Sequence, residues 1–269
     1  MKIAHVITRL IVGGAQENTV LTCRGLADKG HDVTLLAGPE TGPEGSLWDQ
    51  TFGAGYSTIR VDSLRRAIHP VHDVRAYREL RRIFGEIAPQ VVHTHSSKAG
   101  IIARMAAAAA GVPIIVHTVH GMSFNRTQGR IVRAGYRWLE RRVARQTTAF
   151  VCVAQSMVEQ CVSAGIAERE RFVVIRSGME TDRFFPRAEV RAAIRRRWGV
   201  GGDEIVVGTV ARLFVNKGYE EMIEAMLDAI ARCPRLRFVW VGHGPHRERY
   251  EGRLDRLGLS DRVVFTGLL

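Results

Sequence analysis

The chain has 269 residues, 46% of them apolar and 25% charged, enough to pack one large α/β domain or two modest ones, which excludes a disordered chain. Lys and Arg number 39 against 27 Asp and Glu, a formal net charge of +12. That balance favours anionic partners (nucleic acid, phosphorylated small molecules or an acidic membrane surface) unless the arginines are simply solvated.

Short apolar runs alternate with segments of helical period. Strands are predicted at 2–8, 32–37, 57–61, 90–94, 113–118, 149–153 and 171–175, with helices at 15–29, 72–87, 97–110, 127–146 and 155–164 between them. This alternation implies a mostly parallel sheet covered on both faces. Gly178 and Pro186 punctuate a non-periodic stretch, and the pattern then restarts: helix 187–198, strand 204–210, helix 218–232, strand 236–241, helix 246–257, strand 262–266. The fold class expected is α/β with two Rossmann-like parallel-sheet domains. Residues 1–185 form the first domain with its linker, and 186–269 the first part of a second, incomplete one. Three parallel strands leave two raw edges, so a continuation past Leu269 or a partner chain is expected.

The longest apolar stretch, 99–116, is broken by Arg104 and Pro113, so no membrane-spanning helix is expected. The apolar part of MKIAHVITRL is too short for a signal peptide. Cys23, Cys152, Cys161 and Cys233 lack C-x-x-C spacing and read as reduced thiols. A cytoplasmic protein is expected, at most peripheral to the inner face of a membrane. The basic helix 127–146 reads in two ways: a solvated outer face, or a peripheral membrane contact anchored by Trp138.

Ligands of open α/β sheets bind beyond the carboxyl ends of the strands, and the unusual residues fall there repeatedly. Gly13-Gly14 follows the first strand. It does not fit G-x-G-x-x-G, so dinucleotide binding is not indicated; the pair either admits a phosphate or sugar hydroxyl to backbone N–H groups or merely turns the chain. HTHSSKAG (93–100) and HTVHG (117–121) end two further strands. His93 and His117 read as core histidines, whereas His120, just before Gly121, is placed to enter a cleft. No acidic or cysteine ligand has matching spacing, so no metal is expected. Arg212 and Lys217 flank the turn after the strand at 204–210. A guanidinium, an ammonium and a helix N-terminus together suit a diphosphate, the alternative being a solvated basic loop. VGHGPHRE (241–248) is a second glycine-rich turn.

In this order and spacing the motifs resemble the retaining glycosyltransferases of the GT-B fold, family 4. HTHSSKAGIIARMAA with GVPIIVHTVHG resembles the N-terminal acceptor domain. RSGMETDRFFP resembles the interdomain pattern N-G-V-D-x-x-x-F, GTVARLFVNKG resembles G-x-x-x-R-L-x-x-x-K-G, and VGHGPHRE resembles V-G-D-G-P-x-R-x. The resemblance covers essentially the whole chain. It implies sugar transfer with retention from a nucleotide-sugar to a lipid-linked or small cytoplasmic acceptor, in cell-surface polysaccharide biosynthesis, with no cofactor, metal or nucleic acid. Arg212 and Lys217 then take the donor diphosphate and the leaving-group charge, and His120 contacts the transferred sugar; these three are the catalytic candidates. Gly13 and Gly14 face the donor phosphate and the acceptor. His95, Ser96, Gly121, Ser177, Gly178, Gly242 and Gly244 complete the substrate-binding candidates, with Gly178 also marking a hinge. Ser177 replaces the usual Asn, and Glu180 and His243 replace the usual Asp. The family's E-x7-E pair falls beyond Leu269, so weak or no transfer by these residues alone is expected. The alternative is a non-catalytic binding module that needs a partner chain.

Overall fold

The computed structural model describes residues 1–39, 42–125 and 128–269. They form two compact units, Met1–Met179 and Glu180–Leu269.

The first unit runs β1 (Lys2–Arg9), α1 (Gly14–Asp28), β2 (Asp32–Gly38), β3 (Ser57–Arg60), α2 (Pro70–Ile87), β4 (Val91–His95), α3 (Ser97–Ala109), β5 (Ile114–Val119), α4 (Arg130–Ala144), β6 (Ala149–Cys152), α5 (Gln155–Ser163) and β7 (Phe172–Val174). Its seven strands lie in the order β3-β2-β1-β4-β5-β6-β7, with every neighbouring pair parallel. The predicted start of the basic helix at 127 lies outside the described residues; α4 begins at Arg130.

Period-2 alternation assigns the faces of the central strands. Ala4 and Val6 of β1, Leu36 of β2 and Val92 of β4 meet Ala99, Ala103, Ala106 and Ala107 of α3. The small residues of α3 let this helix approach the sheet closely. Gly100 is packed against the His117 ring, where any Cβ would collide. The opposite face carries Ile7 and Leu35 beneath Val20 and Cys23 of α1, and His5 lies on it by the same alternation. α2 starts at Pro70, whose missing N–H is unneeded at that position, and its cap residue His69 accepts from His72 N–H at 3.4 Å.

The second unit runs α6 (Ala188–Arg197), β8 (Ile205–Val210), α7 (Tyr219–Arg232), β9 (Leu236–Val241), α8 (Arg247–Arg256) and β10 (Val263–Gly267), and its parallel sheet has the order β10-β9-β8. Central β9 buries Phe238 and Trp240 against Tyr219, Ile223 and Met226 of α7 and Tyr250 and Leu254 of α8. β8 is an edge strand with Val206, Val207 and Val210 exposed, Val210 at 82%.

Candidate functional site

The order of the larger sheet changes direction between β1 and β4, where the loops leaving neighbouring strands part to opposite faces and open a crevice at their carboxyl ends. Ser96 stands at this point. Its φ of 63° and ψ of 157° lie in a region that side chains avoid, a strain of about 1–3 kcal/mol. β1 holds it there: Thr8 Oγ1 and Ser96 Oγ share a hydrogen bond of 2.7 Å, and Ala99 N–H donates to Thr8 Oγ1 at 3.2 Å. Gly13 caps α1 in an extended conformation open to any residue, and the space before the α-carbon of Gly14 is empty of protein atoms.

A cavity of about 270 Å³ opens beside Ser96. Ser96, Ser97 and His120 supply polar groups to its lining, while Met122, Phe124 and Phe150 supply apolar surface. Such a mixture suits a sugar-sized group with hydroxyls on its rim and C–H bonds on its faces. Gly121 also lines the cavity, and Ala15 brings in the start of α1 next to Gly14. Among the predicted residues, Ser96, His120 and Gly121 are thus brought together. Ser177 and Gly178 are exposed after β7 and are not part of this lining.

Behind the cavity the histidines form two sets. His117, on the α3 face, has its Nδ1 2.8 Å from Thr94 Oγ1. On the other face, His93 Nε2 lies 2.7 Å from Thr118 Oγ1, His5 Nδ1 lies 3.0 Å from His95 Nε2, and His95 Nδ1 lies 3.0 Å from His120 Nε2. His95, expected to bind substrate, is therefore buried behind His120 with both ring nitrogens engaged. Burial holds all five rings in the neutral form: His5, His95 and His117 are pushed well below the usual imidazole range, and His93 and His120 to about 4. Nitrogens of His5, His93 and His95 lie within 4.8 Å of one another, close enough to ligate a metal. Binding one through the facing nitrogens of His5 and His95 would displace the hydrogen bond between these rings.

Glu140 of α4 also lines the cavity and forms a buried ion pair of 2.6 Å with Arg104 of α3. The Arg104 guanidinium is further tied to the Gly100 carbonyl at 2.7 Å. A separate, open hollow of about 450 Å³ in the same unit is edged by Arg65, Arg75, Arg78 and His72 together with Asp62, Ser63 and Glu79.

In the second unit, Arg212 follows β8 in a loop fastened on both sides. Ala211 N–H donates to the Val241 carbonyl at 3.0 Å, Leu213 N–H to the His243 carbonyl at 3.1 Å, and Tyr219 Oη–H to the Ala211 carbonyl at 3.1 Å. The Arg212 guanidinium lies over the Phe214 ring, 4.8 Å from its centroid. Lys217 is exposed one residue before Gly218, which adopts φ 77° and caps α7, so only glycine is unstrained there. Arg212, Lys217 and the α7 N-terminus therefore share one turn. Gly242 and Gly244, expected to touch substrate, have their α-carbons against the Ala211 and Leu213 carbonyls, where a Cβ would collide. In this geometry their absence of side chains serves the Arg212 loop.

Two participants escaped the sequence reading: Thr8, which holds Ser96, and His5, at the start of the histidine file. A histidine in the apolar run KIAHVIT is a visible signal, since a buried imidazole needs partners.

The profile described as Glycosyl transferase 4-like domain matches residues 13–178, and that described as Glycosyl transferases group 1 matches 190–269. The chain is 31% identical over 271 residues to UDP-Gal:alpha-D-GlcNAc-diphosphoundecaprenol alpha-1,3-galactosyltransferase of Escherichia coli, covering 99% of this chain and 68% of that protein. It is 26% identical to a GDP-mannose-dependent alpha-(1-6)-phosphatidylinositol monomannoside mannosyltransferase of Mycolicibacterium smegmatis, over 88% of this chain and 59% of the relative. A putative glycosyltransferase, EpsD of Bacillus subtilis, is 26% identical, with 76% of this chain and 54% of that one covered. The chain thus spans about half to two thirds of these relatives. Among solved structures, Anabaena HepE with UDP and glucose superimposes with a TM-score of 0.77 at 19% identity, over all of this chain and 70% of that one. WaaG, a glycosyltransferase involved in lipopolysaccharide biosynthesis, gives 0.71 at 16%, over 99% of this chain and 70% of that one.

Proposed function

The chain belongs to the GT-B glycosyltransferases of the glycosyl transferase 4-like and group 1 type, and we propose that it moves a hexose, with retention, from a nucleoside-diphosphate sugar to a lipid-linked acceptor in cell-surface glycan assembly. The observation that carries this reading is the fastened loop of Arg212, with Lys217 and the α7 N-terminus in the same turn. As the glycosidic bond to the donor breaks, negative charge grows on the departing diphosphate. A guanidinium carried on a fastened backbone and an ammonium from the same loop would stabilise that charge more than the ground state, which lowers the barrier. These two cations take the part that a metal would otherwise play, and the reading includes no cofactor. His120 and Ser96 hold hydroxyls of the sugar in the cavity.

The named relatives support the choice of substrates: the galactosyltransferase uses a UDP-sugar and a diphosphoundecaprenol acceptor, and the mannosyltransferase a GDP-sugar and a phosphatidylinositol acceptor. The named relatives are transferases, so the alternative of a non-catalytic module is not favoured. No helix among the described residues is long and apolar enough to cross a membrane. A lipid-linked acceptor would be met at the inner membrane face through α4, which exposes Ile131 at 89% and Trp138 at 64% among its arginines.

The test is calorimetric titration of UDP-galactose and GDP-mannose, followed by mass spectrometry of a polyprenyl-diphosphate sugar incubated with the donor that binds. With the full-length protein that carries these residues, gain of one hexose, reduced about a hundredfold in Arg212→Ala, is expected; residues 1–269 alone should transfer weakly or not at all. Binding of neither donor, or transfer indifferent to Arg212, would remove the reading.

A further inference from the structure

We infer that His5, His95 and His120 form a one-way hydrogen-bonded file that fixes His120 with its proton on Nδ1, so that a neutral ring presents an N–H donor to an oxygen of the ligand in the cavity. His5 and His95 are positioning residues in this scheme. Only the identity of that oxygen, a sugar hydroxyl or a phosphate oxygen, rests on the glycosyltransferase reading.

The file crosses three strand positions: His5 in β1, His95 at the end of β4, and His120 just after β5. Its two links are both 3.0 Å, from His5 Nδ1 to His95 Nε2 and from His95 Nδ1 to His120 Nε2. A neutral imidazole has one N–H and one bare nitrogen, so each link needs one proton and the direction of the first sets the second. Two arrangements satisfy both links. In one, His5 Nδ1–H donates to His95, His95 Nδ1–H donates to His120 Nε2, and the last proton is on His120 Nδ1. In the other, every proton moves to Nε2, and donation runs from His120 back to His5.

The closed end of the file selects between them. His5 is fully buried, and its Nε2 has no hydrogen-bond partner. In the second arrangement this nitrogen carries a proton with nothing to accept it, and orphaned buried N–H groups are rare and costly. In the first it is a bare lone pair, the milder loss. His93 packs against the file, its ring centroid 4.3 Å from that of His95, but its Nε2 is committed to Thr118. It therefore supplies neither link. Neutrality, which the scheme needs, follows from the burial of the three rings.

The far end is where chemistry can use the result. His120 lines the cavity, and its Nε2 is occupied by His95. The remaining nitrogen, Nδ1, is thus a donor only. It can donate to a lone pair of a hydroxyl or a phosphate oxygen but has no lone pair with which to take a proton.

The test is a long-range proton–nitrogen correlation spectrum of the protein with nitrogen-labelled histidine at neutral pH, with His120 assigned by its loss in His120→Phe. The expected pattern places the proton of His95 and of His120 on Nδ1. A His120 spectrum of the Nε2–H form overturns the proposal, whether or not the protein transfers sugar. The Nδ1–H form without transfer by the full-length protein would instead count against the proposed function alone. The paired variants His5→Phe and His5→Asn give a second readout. Phe removes the first donor and should leave His120 a mixture of tautomers, with kcat about tenfold lower and the donor KM little changed. Asn places an amide N–H near the position of Nδ1 and should restore the single form. If His5→Phe folds and keeps His120 wholly Nδ1-protonated, the file does not set the tautomer and the proposal fails. Should His5→Phe not fold, the wild-type spectrum decides alone.

Discussion

Gly244 lies directly beneath Leu213, its α-carbon so close to the Leu213 carbonyl that no side chain fits between them. Since Leu213 is the buried neighbour of Arg212, Gly244→Ala should shift the loop that carries the cation. We expect a stability loss of about 1–3 kcal/mol by urea denaturation, as for other overpacked sites. A larger fractional loss should appear in donor affinity. Gly252→Ala, in α8 with open space around it, should instead raise stability by about 0.5–1 kcal/mol. Equal effects of the two substitutions would show that the close approach at Gly244 is unimportant.

Ser96 couples strain to a hydrogen bond, and two substitutions separate them. Ser96→Ala keeps the Cβ and loses the bond to Thr8, at a cost of about 0.5–1.5 kcal/mol. Ser96→Gly loses the same bond but releases the unfavourable conformation at φ 63°. The glycine variant should therefore be more stable than the alanine variant by about 1 kcal/mol or more. Thermal midpoints in the opposite order would mean that the residue is not strained in solution.

Arg104 and Glu140 are buried together, with Arg104 wholly inaccessible. Burial pushes the Arg104 pKa down and the carboxylate pushes it back up. Removing one partner leaves the other charge without compensation, so Glu140→Leu should cost about 3–5 kcal/mol. The double variant Arg104→Met with Glu140→Leu should recover most of that loss. A double variant no better than the single one in urea denaturation would show that the pair contributes through its shape and not through mutual charge compensation.

Acid should weaken the first unit through its histidines. Five rings have folded-state values below the ordinary 6.5, His93 and His120 at about 4. The unfolded chain takes up these protons as pH falls through 6.5, while the folded chain resists until about 4. Stability is thus full above 6.5 and declines from 6.5 toward 4. The slope is about 1.4 kcal/mol per pH unit for each ring protonated only in the unfolded chain. Denaturation midpoints compared at pH about 7.5 and about 5 measure it, with the wild type losing more than a His93→Gln variant. A midpoint independent of pH would contradict the burial of these rings in solution.

Much of the fold was legible because strands and helices carry their own periods and their punctuation. The carboxyl-end rim followed too, since HTHSSKAG, HTVHG and the Arg212 turn each close a strand. What the sequence could not disclose depends on strand order. His5 and His95 are distant in the chain and meet because β1 lies beside β4. The same adjacency lets Thr8 reach Ser96. His95, a substrate-binding candidate on the resemblance, packs its ring inward behind His120. Gly242 and Gly244 are substrate-binding candidates on the resemblance, and the sequence does not show that the space before their α-carbons is filled by the neighbouring backbone.

The exposed valines of β8 also bear on what its free side is built to accept. Val206, Val207 and Val210 stand beside unpaired backbone groups, a surface suited to one more strand laid alongside β8 rather than to water.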